Sequence, residues 1–200
     1  MQLDALREIS SIAGGNAATS LSVMLGRRVE ITVPDITIEA VEKVPQALAN
    51  EEDVANVVYF SLKGPISGTI LLILSVFESL RLVDVLTEQN VTEMENLDEM
   101  GLSALKELGN ITIGTYIRAM EHVLKIRINY SIPGFASDML GAILDGTLAR
   151  LSLETGEAIL IENRLLVEGV TLAEGIAFRT YIVFIPEDKS VKALLDALQV

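Results

Sequence analysis

An α+β fold is predicted for this chain, with a mainly antiparallel sheet covered by helices. Two long segments, Leu3–Leu25 and Leu97–Leu124, carry apolar residues at the spacing of a helix. Elsewhere the period changes to two, as in Arg28–Val33, which is typical of a strand with one buried face. Short turns such as Lys63–Pro65 suit antiparallel hairpins. Helices gathered on one face of such a sheet make a two-layer sandwich.

The predicted elements follow the same order in each half of the chain. The first half contains a helix at 3–25, a strand at 28–38, a short helix at 41–49, strands at 54–62 and 66–74, and a helix at 75–86. The second half contains a long helix at 97–124, a strand at 126–132, a helix at 138–153, strands at 158–167 and 176–185, and a short helix at 189–198. Gly14 and Gly15 weaken the first helix by about 1 kcal/mol each relative to alanine, so we expect them to permit close packing against a neighbour.

The two halves carry the same sequence pattern 99 residues apart. Identical residues recur at this offset, among them Leu6/Leu105, Glu8/Glu107, Gly15/Gly114, Arg28/Arg127 and Pro34/Pro133. We therefore predict one domain over 1–200, built from two repeats at about 1–87 and 97–200 and related by a pseudo-twofold axis. One pairing differs, because Ser11 stands where the second repeat has Asn110.

The second long helix is predicted to present a small polar face. At about 100° per residue, Ser103, Glu107 and Asn110 fall within about 60° of arc, whereas Leu105 and Leu108 point the opposite way. An acid and an amide held in register could bind and orient a reacting group of a partner. The alternative is an ordinary solvated helix face, which carries the same residue types.

Composition excludes several classes of function. A formal net charge of −13 argues against a nucleic-acid binder, which needs a positive field to meet phosphate. With no cysteine and one histidine, neither thiolate chemistry nor a metal site of the usual ligands is expected. The start, Met-Gln-Leu-Asp, lacks the features of a signal peptide, and the longest apolar run, Thr69–Val76, is far below the ~20 residues of a membrane span. We expect a cytoplasmic protein with no membrane segment.

A carboxylate and a carboxamide are enough to hydrolyse a labile ester. An acyl phosphate on an aspartate already hydrolyses spontaneously, so placing a water in line accelerates it without a strong base. An amide oxygen can accept a hydrogen bond from that water, while the amide NH₂ group holds a neighbouring oxygen. A carboxylate one turn away can pair with a cation on the substrate protein.

The spacing Asp/Ser-x3-Glu-x2-Asn-x22-Pro occurs in two copies, with Ser11 in place of the asparagine in the first. This pattern resembles the CheC family of chemotaxis phosphatases, which is related to CheX and FliY. The resemblance implies dephosphorylation of the phosphorylated response regulator CheY, with Asn110 orienting the attacking water and Glu107 contacting a lysine of the regulator. It also implies no cofactor of the chain's own, since Mg²⁺ comes with the phosphorylated regulator. The remaining motif positions are expected to serve binding, and they are Ser103, Pro133, Asp4 and Pro34.

The resemblance further implies that the chain binds the deamidase CheD, around a helix predicted to begin at Asp138. It assigns Glu8 and Ser11 to a degraded first site, because serine is shorter than asparagine and has one donor. We therefore expect the second site to perform most of the catalysis. Two alternatives are a non-enzymatic adaptor that binds CheD or phosphorylated CheY, and a component of the flagellar switch.

Overall fold

A computed structural model describes residues 2–48, 52–89, 91–151, 156–170, 178–187 and 190. The helices are α1 (Gln2–Leu25), α2 (Val44–Leu48), α3 (Val76–Thr87), α4 (Glu99–Leu124) and α5 (Leu140–Leu151). The strands are β1 (Val29–Ala40), β2 (Val54–Lys63), β3 (Gly68–Ser75), β4 (Asn129–Tyr130), β5 (Gly134–Met139), β6 (Glu157–Val167) and β7 (Phe178–Pro186). The predicted α+β class is confirmed, and the helix predicted at 189–198 lies outside the described residues except for residue 190.

One antiparallel sheet forms the centre of the molecule, with strand order β1-β6-β7-β3-β2 and with β4 and β5 both paired to the outer side of β2. The strand predicted at 126–132 is therefore partly wrong. It begins at Asn129, stops after Tyr130 and resumes at Gly134. The break contains Pro133, which has no N–H to donate to the ladder.

The two outer edges of the sheet are built in the same way. Strand β1 pairs with β6 and changes register between Thr32 and Asp35, around Pro34, as the other edge breaks at Pro133. Equivalent edge residues have equivalent partners. Ile31 pairs with Leu165 as Tyr130 pairs with Leu62. Ala40 likewise pairs with Glu157 as Met139 pairs with Val54. Each edge strand therefore pairs with a strand from the other half of the chain, and the two halves interlock.

Both faces of the sheet are buried. The larger core lies between the sheet and the helices α1, α3 and α4, and a second core lies under α2 and α5. Adjacent residues of β3 show this arrangement, since Leu72 belongs to the first core and Leu71 to the second. The helices are thus not gathered on one face as expected, because β3 is apolar on both faces and carries no period-two signal. Within the described ranges, none of the helices has the length and apolarity needed to cross a membrane.

Helix α4 begins at a well-formed cap. Asp98 is its N-cap residue, and its Oδ1 accepts a hydrogen bond from the Gly101 N–H at 2.8 Å. Its Oδ2 accepts a second hydrogen bond from Gln89 Nε2 at 3.1 Å. The Gly101 N–H, and after it the Gln89 amide, hold the pKa of the Asp98 carboxyl below its usual value.

This lowered pKa predicts a contribution to stability that depends on pH. The contribution is fully present above the unfolded-state pKa, near pH 4, and is lost as the pH falls through the lower pKa of the folded state. The free energy of unfolding is therefore expected to fall below about pH 4, and Asp98→Asn, which keeps a capping acceptor, to flatten this fall. Denaturant titrations measure the effect at a series of pH values between about 2.5 and 7, in steps of roughly 0.5 pH unit. Glu99→Gln, in the same helical turn, is the control, and an unchanged profile in Asp98→Asn would contradict the assignment.

Candidate functional site

The second long helix presents the predicted polar residues on its outer side. Leu105 and Leu108 are buried in the core of the sheet and helices. On the other side of α4, Ser103 and Glu107 are exposed and Asn110 is partly exposed. The motif residues of the second repeat are therefore accessible from one direction.

The side chains of Glu107 and Asn110 are not engaged within the protein. In the described part of the chain, neither makes a hydrogen bond or an ion pair with another residue. A carboxylate and a carboxamide one turn apart thus keep their full hydrogen-bonding capacity for a partner. This arrangement suits the orientation of a bound group.

A close contact with the sheet fixes the distance between the backbone of α4 and the sheet at this site. A Cβ atom at Gly109 would lie 2.6 Å from Val58 Cγ1 and 2.9 Å from Val58 Cβ, which is too near for any side chain. Val58 lies in β2 and is fully buried. The backbone of α4 therefore rests directly on the sheet at the residue that precedes Asn110.

Pro133 lies between two short strands that pair with the same neighbour, β2. It belongs to the three-residue break between β4 and β5, both of which pair with β2. Tyr130, at the end of β4, approaches α4 at Gly114, where its hydroxyl oxygen is 3.5 Å from the position of a Cβ. The residues on the two sides of the break thus pair with β2, the strand that contacts α4 at Gly109.

The first repeat carries its motif on α1, on the same face of the sheet as α4. Asp4, Glu8 and Ser11 are all exposed. Asp4 Oδ1 accepts a hydrogen bond from Arg7 Nη1 at 3.4 Å, within an exposed ion pair. Pro34 lies in β1, at the register change described above.

The two sites differ in more than the asparagine. In the second repeat, the guanidinium of Arg118 and the hydroxyl of Tyr130 surround Gly114. In the first repeat, a Cβ at Gly15 would meet nothing within 4 Å, and Thr19 Oγ1 donates to the Gly15 carbonyl at 3.0 Å. Sequence reasoning missed both groups. The eight-residue spacing from Asn110 places Arg118 near the same helix face. No pattern in the sequence around Tyr130 indicates that its side chain reaches this helix.

Asp138 does not begin a helix, so that prediction is wrong. It lies in the exposed part of β5, and its Oδ1 accepts a hydrogen bond from the Met139 N–H at 2.8 Å. Helix α5 begins two residues later, at Leu140. The pairing of β5 with β2 extends the strand through Met139, which the sequence pattern did not reveal. Contact with CheD at this position stays a prediction.

The comparison with known families finds a match in two separate segments of the chain. A model of the CheC-like family matches residues 1–38 and residues 100–137. Over these two segments the chain is similar to the CheC-like family. The two matched segments begin 99 residues apart, which is the offset between the two motifs.

Several proteins of known name are similar to this chain over most of its length. The CheY-P phosphatase CheC of Bacillus subtilis is 27% identical over 164 residues, which cover 81% of this chain and 78% of that protein. The crystal structure of Thermotoga maritima FliY superposes with a TM-score of 0.75 at 26% identity, covering 99% of this chain and 96% of that one. The CheX of the Borrelia burgdorferi CheX–CheY–BeF3–Mg²⁺ complex shares the fold, with a TM-score of 0.52, 19% identity and coverage of 90% and 98%.

Within the described ranges, no group of three or more histidine, aspartate or glutamate side chains is placed to hold a metal ion.

Proposed function

We propose that this chain is a phosphatase that hydrolyses the aspartyl phosphate of a CheY-type response regulator. The observation that supports it most is the pair Glu107 and Asn110, unengaged and facing outward on a helix whose inner side is buried. The Bacillus subtilis relative that bears the name CheY-P phosphatase adds support from similarity.

The chemistry needs only one oriented water. The water oxygen attacks phosphorus, and the bond between phosphorus and the carboxyl oxygen of the aspartate breaks. The electron pair of that bond stays on the carboxylate, and both water protons remain on the released dihydrogen phosphate. Asn110 accepts a hydrogen bond from the water through its amide oxygen and donates from its NH₂ to an oxygen of the phosphorylated group. Mg²⁺ carried by the regulator neutralises charge on the phosphoryl oxygens.

Glu107 has a separate role in docking. Its exposed carboxylate, one turn before Asn110, pairs with a cation of the regulator and so sets the register of the two proteins. Ser103 lies on the same helix face and belongs to the proposed contact surface, to which we also assign Pro133. In the first repeat, Asp4 and Glu8 retain the residues for docking. Ser11, however, holds a water less well than an asparagine does.

The second candidate is a non-enzymatic adaptor that binds CheD or phosphorylated CheY. It is favoured by one observation, which is that Ser11 leaves the chain with a single complete motif. An adaptor would need the docking carboxylates but not the amide.

Phosphate release distinguishes the two candidates. The full chain is added to a CheY-type regulator that has been phosphorylated by a small-molecule phosphodonor in the presence of Mg²⁺, and inorganic phosphate is measured over time. A phosphatase accelerates the release in proportion to its concentration. Slowed release, or unchanged release with a stable complex, would show the adaptor instead.

A further inference from the structure

A guanidinium group lies next to the candidate catalytic amide. Arg118 folds back along α4, so that its Nη1 and Nη2 atoms lie 3.3 Å and 3.8 Å from the position of a Cβ at Gly114. Gly114 is one turn after Asn110, and residues at this spacing have their Cβ positions about 5–6 Å apart. The guanidinium therefore lies within reach of a group that Asn110 binds.

The charge of this guanidinium is not neutralised locally. Arg118 is exposed, and no described carboxylate forms an ion pair with it. The nearest acid along the same side of the helix, Glu121, accepts a hydrogen bond from the Ile128 N–H at 2.8 Å. Arg118 thus offers its donors to an external anion.

A second donor reaches the same place from the sheet. The Tyr130 hydroxyl oxygen lies 3.5 Å from the Cβ position of Gly114. The Tyr130 ring packs edge-on against Phe60, with their centroids 6.0 Å apart. Because Gly114 has no side chain, the guanidinium and the phenol can both approach the backbone of α4 one turn after Asn110.

The first repeat has none of these groups. The equivalents of Arg118 and Tyr130 are Thr19 and Ile31, and the space around Gly15 is empty to 4 Å. Thr19 directs its hydroxyl to its own helix backbone. The cation and the phenol therefore occur only in the repeat that has the asparagine.

We propose that Arg118 is a further catalytic residue, and that with the Tyr130 hydroxyl it forms an oxyanion-binding subsite for the phosphoryl group of an acyl phosphate. This inference rests on the proposed function. The guanidinium donates to the non-bridging phosphoryl oxygens while water attacks phosphorus and the carboxylate leaves. Donors already in position where charge is rearranged lower the barrier to the reaction without contributing to docking.

The test measures kcat and KM for phosphate release with Arg118→Gln, Arg118→Lys and Tyr130→Phe. We expect Arg118→Gln to lower kcat roughly tenfold, which is less than the ~10²–10³-fold effect of a donor in a water-excluded site, because Arg118 is exposed. The KM should change less than about twofold. The kcat of Arg118→Lys should lie between those of the unmodified chain and Arg118→Gln. In a further variant, Arg118→Ala, added millimolar guanidinium ion should restore part of the activity. Tyr130→Phe keeps the ring packing and should lower kcat by a smaller factor.

Arg127→Gln is the matched control, because it removes the same charge from an exposed side chain just beyond α4. A kcat for Arg118→Gln equal to that of Arg127→Gln would overturn the inference and leave the proposed function standing. A raised KM with an unchanged kcat would make Arg118 a docking contact and would also overturn it. If the unmodified chain does not accelerate phosphate release at all, the proposed function itself fails. Thermal melting of each variant confirms that the fold is intact.

Discussion

Asn110→Ala is expected to abolish nearly all of the dephosphorylation activity, with a loss on the order of 10²-fold in kcat. The amide supplies both contacts that hold the attacking water and a neighbouring oxygen, and alanine supplies neither. Because Asn110 is partly exposed and makes no internal hydrogen bond within the described residues, its loss should leave the melting temperature nearly unchanged. Single-turnover decay of the phosphorylated regulator measures the effect.

Ser11→Ala is the matched control for this prediction, since Ser11 is the equivalent position on α1. It should change the rate little. Binding to a regulator that carries a beryllofluoride group, which mimics the phosphoryl group, should survive in Asn110→Ala and weaken in Glu107→Ala. Equal losses of activity from Asn110→Ala and Ser11→Ala would contradict the asymmetry between the two sites.

Gly109→Ala is expected to have the second-largest effect, because it disturbs both stability and the position of the site. The new methyl group would lie within 3 Å of two atoms of the buried Val58, so either the strand or the helix must move. Overpacking of this kind costs about 1–3 kcal/mol of unfolding free energy. A helix shifted by about 1 Å would also carry Asn110 away from its bound water, and kcat should fall by about 10- to 100-fold.

Two further variants separate crowding from a general effect of alanine. Gly15→Ala, on α1, places its methyl group in open space and should stabilise the protein by about 0.5–1 kcal/mol through helix propensity. Val58→Ala, combined with Gly109→Ala, should restore part of the lost activity, because it removes Val58 Cγ1, the nearest atom at 2.6 Å, and leaves only Cβ, at 2.9 Å. Additive losses in that double variant would show that the Gly109 contact does not position the site.

Local pattern predicted most of the fold. The two long helices, the hairpin strands and the polar face of α4 each have a signal within a dozen residues, and all are found where expected. The errors lie where pairing between distant segments decides the structure. Strand β5 runs on to Met139 because β2 is available as its partner, so Asp138 is drawn into a strand.

The glycines of the long helices illustrate the same limit. The sequence predicts close packing at Gly15, which faces open space, whereas Gly109, for which it predicts no such role, lies directly against Val58. A missing side chain has the same appearance in a sequence whether or not a neighbour occupies its place.

The amino-acid sequence by itself determined the helical register that puts Glu107 and Asn110 on one face, and the substitution of Ser11 that sets the two repeats apart. Both follow from spacing along a single helix, which depends only on neighbouring residues. The tertiary structure alone decided what surrounds that face. Val58 and the Tyr130 hydroxyl both reach α4 from strands distant in the chain, and the antiparallel pairing of β4 with β2 positions Tyr130.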